Sequence, residues 1–461
     1  MAGSSILTNH TLEWVQEKGL CSQPSVTVLT KLGFQKLTNI QQQAIPKLLA
    51  KKNAFLHART GSGKTLAFLI PTVERLRAMK FKELHGVGAL IISPTRELAQ
   101  QISLVLKPLA DVHEFSTLTL IGGTKLTAMA IQNGATLVVG TPGILLKALS
   151  GQDNMCLPIC NLKILILDEA DSLLDNESNT QYLRKICSLL PQDEVQKVLV
   201  SATVTPTCMK LAKEVLKTDF FYVTAEKNAS PTTAQVKQSY VLVNASDRLP
   251  MLTTILQTLR KKKVIIFLNS CDSVRFHHKV LSHLQLPVLY CVGKEKQTRR
   301  SSMYMKFLEL KQGILLTTGM AERGWDIPGI HWIIQYDPPH KPEKYIHRIG
   351  RTGRGEGRVG RALLFLRPEE NKFIEVLKNM EVQIEQLEFL GDLKEIQKKI
   401  DSLVLNDALI RLRAKLAFKK FVRAYQCHTL RDIFSIQSLN LHEVCRAFGF
   451  TKPPVELGQL T

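Results

Sequence analysis

The stretch Ala58-Arg-Thr-Gly-Ser-Gly-Lys-Thr65 lies between an apolar run and a helical pattern at Leu66 to Ile70. A turn of Thr60, Gly61, Ser62 and Gly63 lets backbone amides converge on phosphate oxygens. Lys64 adds positive charge at the terminal phosphates, and the Thr65 hydroxyl can ligate Mg2+. Farther along, Ile164 to Leu167 delivers Asp168-Glu-Ala-Asp171 to the carboxyl end of an apolar strand, where α/β sheets place ligand chemistry. There Asp168 would hold the metal and Glu169 would polarise a water for attack on a γ-phosphate. An acidic first helical turn, favoured by the helix dipole, explains the same carboxylates without chemistry. Their pairing with a phosphate loop favours the catalytic reading.

The elements that position these groups are short apolar runs: Ala89 to Ile92, Leu137 to Val139, Ile164 to Leu167, Val198 to Val200, Val264 to Leu268, Ile314 to Leu316, Trp332 to Ile334 and Ala362 to Leu366. They are rich in Val, Ile and Leu and lack polar alternation, which suits parallel strands covered on both faces. Helical stretches separate them, so the architecture is α/β. A polar lapse at Thr224 to Ala234 reads as a linker. The expected divisions are an N-terminal segment at 1–26, a first α/β domain at 27–227, a second at 228–390 and a helical extension at 391–461. In the extension Leu405, Leu409, Leu412 and Leu416 recur at helical spacing, with Arg411, Lys415, Lys419 and Arg423 as a basic stripe on the other side. That stripe is either a solvated face or a rail for a polyanion. Phe418, Phe421 and Tyr425 are expected to pack inward.

The 461 residues carry 61 Lys and Arg against 40 Asp and Glu, a net +21 that makes nucleic acid the natural partner and membrane phosphates a weaker one. No window has the length or apolarity of a spanning helix, and the polar opening from Met1 to Trp14 argues against a secretory leader. Nine Cys, an odd number, suggest buried thiols in a reducing compartment and disfavour a disulfide scaffold or zinc site.

Seven more segments complete the pattern. Pro94-Thr-Arg-Glu-Leu98, Gly122-Gly123 and Thr141-Pro-Gly143 close strands in the first half, followed by Ser201-Ala-Thr203. The second half supplies Gln297-x-x-Arg300, Thr318-Gly-Met-Ala-Glu-Arg323-Gly-Trp-Asp326 and His347-Arg-Ile-Gly-Arg-Thr-Gly-Arg354. In this order the chain resembles a DEAD-box RNA helicase from about Trp14 to Pro454.

The resemblance implies two tandem RecA-like domains with parallel sheets and a small α-helical C-terminal extension, ATP with Mg2+ as the cofactor pair, and RNA as partner of a monomer. Phe34 and Gln41 would read adenine. Asp326 would hold the ribose, and Arg351 and Arg354 would be arginine fingers acting with Lys64, Asp168 and Glu169. Pro94, Thr95, Arg96, Gly122, Gly123, Thr141, Gly143, Gln297, Arg300 and Thr318 would contact RNA, while Ser201, Thr203 and His347 would couple hydrolysis to movement.

Ile144 replaces the family's usual Arg, Gly319 its usual Asp and Glu322 its usual Ala. Hydrolysis is therefore expected to be intact and RNA grip modified. Ala417 to Tyr425, His428 to Phe434, Leu439 to Leu441 and Ala447 to Phe450 with Pro453-Pro454 resemble the extension of a nucleolar, ribosome-assembling subset, nearest the Myc-regulated lineage. That likeness implies pre-ribosomal RNA of the large subunit, pre-ribosomal protein partners and a nucleolar location. Two other classes stay open: an ATP-gated RNA clamp, and a different P-loop translocase.

Overall fold

A strand with both faces apolar needs cover on both sides, and the chain supplies it with helices that return between parallel strands. The computed structural model describes all residues except 1–6, 59–60, 124–130, 132–134, 153–155, 192–194, 218, 225–235, 323–324, 326, 354–358, 390 and 455–461. The chain divides into two compact units, Met1–Ala229 and Ser230–Thr461.

The first unit contains a small antiparallel pair, β1 (Leu7–Thr11) and β2 (Lys36–Thr38). Its main sheet comprises β3 (Ala54–His57), β4 (Ala89–Ile92), β5 (Thr117–Leu120), β6 (Leu137–Gly140), β7 (Ile164–Leu167), β8 (Gln196–Ser201) and β9 (Phe221–Thr224). These run parallel in the order β5-β6-β4-β7-β8-β3-β9. Successive side chains take opposite faces: Ile91 and Ile166 join the layer containing Phe68 and Leu106, while Leu90 and Leu165 join the one containing Leu145 and Leu183. Phe68, on the helix Lys64–Ala78, is fully buried, which stabilises that helix on the sheet by about 1.5–3 kcal/mol.

The second unit repeats the scheme with β10 (Val236–Leu242), β11 (Lys263–Phe267), β12 (Val288–Cys291), β13 (Gly313–Thr317), β14 (Trp332–Gln335), β15 (Gly360–Leu366) and β16 (Glu385–Gln386). The order is β12-β13-β11-β14-β15-β10-β16, again all parallel. All eight apolar runs singled out in the sequence are strands, shifted by no more than two residues at an end.

The helices Lys394–Asn406, Ala408–Gln426 and Leu441–Ala447 form the extension. They have no core of their own. Ile400, Val404, Ile410, Ala414, Phe418 and Val422 lie in one cluster with Val274, Phe276 and Leu281 of the second unit. The leucine stripe faces outward: Leu405 is 67% exposed and Leu412 54%, with Leu409 and Leu416 also exposed. The face with small Ala414 and Ala417 beside Phe418 packs more closely against its neighbours, so it takes the inward position. Arg411 of the basic stripe turns back to the carbonyls of Val404 and Leu405, closing the preceding helix, while Lys415 and Arg423 stay exposed. Phe418 and Tyr425 are buried as expected, and Phe421 packs beside them with the Arg367 guanidinium 4.6 Å from the Tyr425 ring.

No helix of the described residues is long and apolar enough to cross a membrane. All nine cysteines are free thiols. Cys21, Cys208, Cys291 and Cys445 are buried as anticipated, but Cys156, Cys160 and Cys427 are exposed. Among the described residues no group of three or more His, Cys, Asp and Glu side chains could hold a metal ion by itself.

Candidate functional site

Parallel strands all end at the same edge, so the loops that follow β3, β7 and β8 gather there in the first unit. β8 lies between the other two. Gly61 and Gly63 hold φ of +78° and +87°, a left-handed backbone that suits glycine, and Gly63 is the N-cap of Lys64–Ala78. The first-turn amides of that helix are therefore available to an anion. Lys64 Nζ donates to the Ala58 carbonyl across the loop. Ser62 Oγ is buried with no hydrogen-bond partner. Thr65 occupies the second helical position and is half-buried; Thr60 lies outside the described residues.

Gln41 meets this loop from outside. Its Oε1 accepts from Thr38 N at 2.9 Å, closing the first turn of the helix Asn39–Leu49, and its Nε2 donates to Gly63 O at 3.0 Å. A Cβ on Gly63 would stand 2.6 Å from that Nε2, so the close approach requires glycine. The proposed adenine reader is thus also a strut of the phosphate loop. Phe34, its expected companion, is 37% exposed, open enough to meet a planar ligand.

At the end of β7, Asp168 is buried and its Oδ1 accepts from Glu169 N at 2.9 Å. Burial first, and the neighbouring Glu169 charge second, push the Asp168 carboxyl well above the ordinary carboxylate range, against the pull of Lys64. Glu169 itself adopts φ +47°, and its Oε2 is buried without a partner. The buried Asp168 carboxyl, the orphaned Glu169 oxygen and the Thr65 hydroxyl at the loop's helix are hard oxygen donors of the kind a divalent cation takes once Asp168 is ionised.

Two residues after β8, Thr203 Oγ1 donates to Asp171 Oδ2 at 2.8 Å, while Ser201 Oγ donates to Thr203 O at 2.7 Å. Ala58 N donates to Ser201 O at 3.2 Å. One chain of contacts therefore joins the phosphate loop, the Ser-Ala-Thr turn and the acidic turn. Asp171 was quoted in the sequence without a role; its place in the first turn of the helix Ala170–Leu174, directly after the Asp168-Glu169 pair, is the signal that could have assigned one.

On the same edge, Thr95 caps the helix Arg96–Asp111 through a 3.3 Å bond from Leu98 N, and Arg96 lies against Gly122, where a Cβ would meet its Nη2 at 2.9 Å. Gly123 has φ +86°, and Thr141 precedes the helix Pro142–Leu149, which carries Gly143. Pro94 joins β4 to the Thr95 cap. Ile144 packs against the apolar layer, so this turn presents a hydrophobic side chain where a cation is usual.

In the second unit Gln297 opens the helix Gln297–Glu309, which carries Arg300, and Thr318 follows β13. The helix Pro342–Ile349 carries a buried His347 and Arg348 and leads to Arg351. Arg351 is buried, donating from Nη1 to Trp325 O at 3.0 Å and from Nε to His347 O at 3.3 Å. Asp326 and Arg354 lie outside the described residues. Arg348, passed over in the sequence between His347 and the arginine-finger candidates, is buried and held by several partners. Nε donates to Glu322 Oε1 at 2.7 Å and Nη1 to Asp337 O at 2.8 Å.

Comparison with known proteins agrees with this layout. Residues 38–211 match the family described as DEAD/DEAH box helicase, 247–356 the helicase conserved C-terminal domain, and 407–456 the C-terminal extension of SPB4-like ATP-dependent rRNA helicases. The chain is 41% identical over 430 residues to the ATP-dependent RNA helicase has1 of Schizosaccharomyces pombe, covering 92% of this chain and 74% of that one. It is 40% identical over 442 residues to the probable ATP-dependent RNA helicase pitchoune of Drosophila melanogaster, covering 95% of this chain and 64% of that longer protein. Among solved structures, Mss116p bound to single-stranded RNA and AMP-PNP superposes with a TM-score of 0.85 at 25% identity, covering 99% of this chain and 94% of that one.

Proposed function

Since this chain belongs to the DEAD-box family of ATP-dependent RNA helicases, we propose that it uses ATP to remodel structured RNA or ribonucleoprotein locally, and that its substrate is pre-ribosomal RNA of the large subunit in the nucleolus. The match of residues 407–456 to an rRNA-helicase extension, and the has1 and pitchoune relatives, support the ribosomal assignment. The observation that carries the ATPase reading is that the glycine-rich loop, the buried Asp168 and the unpartnered Glu169 Oε2 lie at the same edge of one sheet, on strands separated only by β8.

In this reading the amides after Gly61 and Gly63, with Lys64, hold the phosphates, while Phe34 and Gln41 hold the base and Asp326 the ribose. Thr65 and Asp168 would hold Mg2+, which when bound neutralises phosphate charge. Glu169 orients the attacking water through its buried oxygen. Arg351 and Arg354 stabilise charge on the transferring phosphoryl group. RNA is held through its backbone by Pro94, Thr95, Arg96, Gly122, Gly123, Thr141, Gly143, Gln297, Arg300 and Thr318, so sequence selectivity is low. Ser201 and Thr203, bonded toward Asp171 and the phosphate loop, and His347 beside the arginines, transmit the nucleotide state to the RNA grip. The chain acts as a monomer.

RNA-stimulated ATP hydrolysis by the full chain tests the reading, with Glu169→Gln as control. Hydrolysis stimulated more by DNA than by RNA would replace it with a DNA translocase. Undiminished biological function of the Glu169→Gln protein would replace it with an ATP-gated clamp.

A further inference from the structure

The loop after β13 and the helix Pro342–Ile349 meet at one carboxylate. A Cβ built on Gly319 would lie 2.9 Å from Glu322 Oε1 and 3.2 Å from Oε2, so the Glu322 carboxylate occupies the volume that a side chain at 319 would claim. From there Oε1 accepts from Arg348 Nε at 2.7 Å, and Oε2 stands 3.9 Å from Lys344 Nζ, one helical turn earlier. Arg348 is 2% exposed. Its other contacts are neutral: the Asp337 carbonyl at 2.8 Å, Asn269 Oδ1 at 3.4 Å and the Phe267 ring at 5.0 Å. Among the described residues Glu322 is the carboxylate that pairs with this guanidinium. A buried guanidinium stripped of its carboxylate is strongly unfavourable, so the pair is a fixed point of the site.

We propose that Glu322 is a transplanted carboxylate, a positioning residue that supplies from the end of the loop the negative charge that an Asp at 319 would supply from its start. It pins Arg348, and through the short helix it sets His347 and Arg351 against the turn that carries Thr318. The inference rests on the RNA-dependent ATPase reading and revises one sequence expectation. Gly319 and Glu322 are two halves of a compensated exchange, and neither loosens RNA coupling. An Asp side chain at 319 extends only one or two bonds past Cβ, into the space the Glu322 carboxylate fills. Either acid fits, and two together collide and repel.

The test compares four forms of the full chain: the parent, Gly319→Asp, Glu322→Ala and the double variant. Oligouridylate-stimulated kcat, its half-saturating RNA concentration and the melting temperature are measured for each. Each single substitution is expected to lower RNA-stimulated kcat by at least about tenfold, and the double to recover to within about threefold of the parent. The double matching the weaker single, or Glu322→Ala matching the parent, overturns the proposal. Singles that melt earlier yet keep the parent's kcat well below their melting point also overturn it, because Glu322 is then only a stabilising residue. A parent with no RNA stimulation overturns the functional reading and this inference with it, whereas an active parent with an unrescued double overturns this inference alone.

Discussion

Replacing Gln41 by Leu separates the base-reading role proposed for it from the bracing role seen in the structure. In the structure its amide closes the first turn of Asn39–Leu49 on Thr38 N at 2.9 Å and braces Gly63 O at 3.0 Å, with the side chain buried. Two neutral hydrogen bonds are lost, worth about 1–3 kcal/mol together, and the melting temperature of the first unit falls accordingly. The phosphate loop feels the Gly63 bond directly. Its share of about 0.5–1.5 kcal/mol corresponds to roughly a two- to 12-fold weaker Kd. A ligand with phosphates and no base isolates this share. Calorimetric titration of the full chain with Mg2+-tripolyphosphate is expected to show that loss, and titration with Mg2+-ATP a larger one because base recognition goes too. Tripolyphosphate binding equal to the parent's, beside weakened ATP, would refute the brace and leave Gln41 as a base reader alone.

Thr203→Val removes the hydroxyl that donates to Asp171 Oδ2, a bond to a charged acceptor worth about 1.5–3 kcal/mol; urea unfolding of the first unit should shift by that amount, and an unchanged midpoint would contradict the bond's weight. Arg248→Met breaks the buried pair with Asp337 at 3.1 Å and leaves its carboxylate uncompensated, so the second unit should lose about 3–5 kcal/mol by denaturant titration. Changing Leu405, Leu409, Leu412 and Leu416 together to Gln should alter stability by under about 0.5 kcal/mol per site, since all four are exposed; a loss of several kcal/mol would restore them to the core. Burial lowers the His277 pKa from 6.5 to about 4, so it is neutral in the fold at pH values where the unfolded chain binds a proton. The unfolded state thus holds more protons between those values, and stability falls as pH drops through the window. The loss reaches about 3 kcal/mol at the acid end, and His277→Gln should flatten that limb of the melting-temperature profile.

Strands buried on both faces were readable because nothing polar interrupts them, as in Ile164–Leu167 and Lys263–Phe267. Edge strands escaped notice for the converse reason. Thr117–Leu120 and Phe221–Thr224, at the two edges of the first sheet, carry threonines and are only partly covered, so their composition resembles that of a loop. The phosphate loop and the Asp168-Glu169 turn were legible because their chemistry restricts which residues can serve. The orientation of the extension was not. Periodicity reveals that Leu409, Leu412 and Leu416 share a face, and equally that Ile410, Ala414 and Ala417 do; the packing of Phe276 and Phe448 around Phe418 decides between them. The Gly319 and Glu322 departures looked like two separate losses, because spacing along the chain does not show that one residue fills the space beside the other.

The extension's shared core determines how this protein can be divided. Ile410, Phe418 and Val422 complete the hydrophobic layer over Val274 and Phe276, while His428 Nε2 meets the Pro339 carbonyl just ahead of the helix Pro342–Ile349. A fragment cut before residue 394 would lay bare that layer and release the approach to the helix Pro342–Ile349. Chimeras with related helicases should therefore exchange the whole stretch from Val236 to Pro454 as one block, since a tail grafted alone would meet a surface shaped for a different partner.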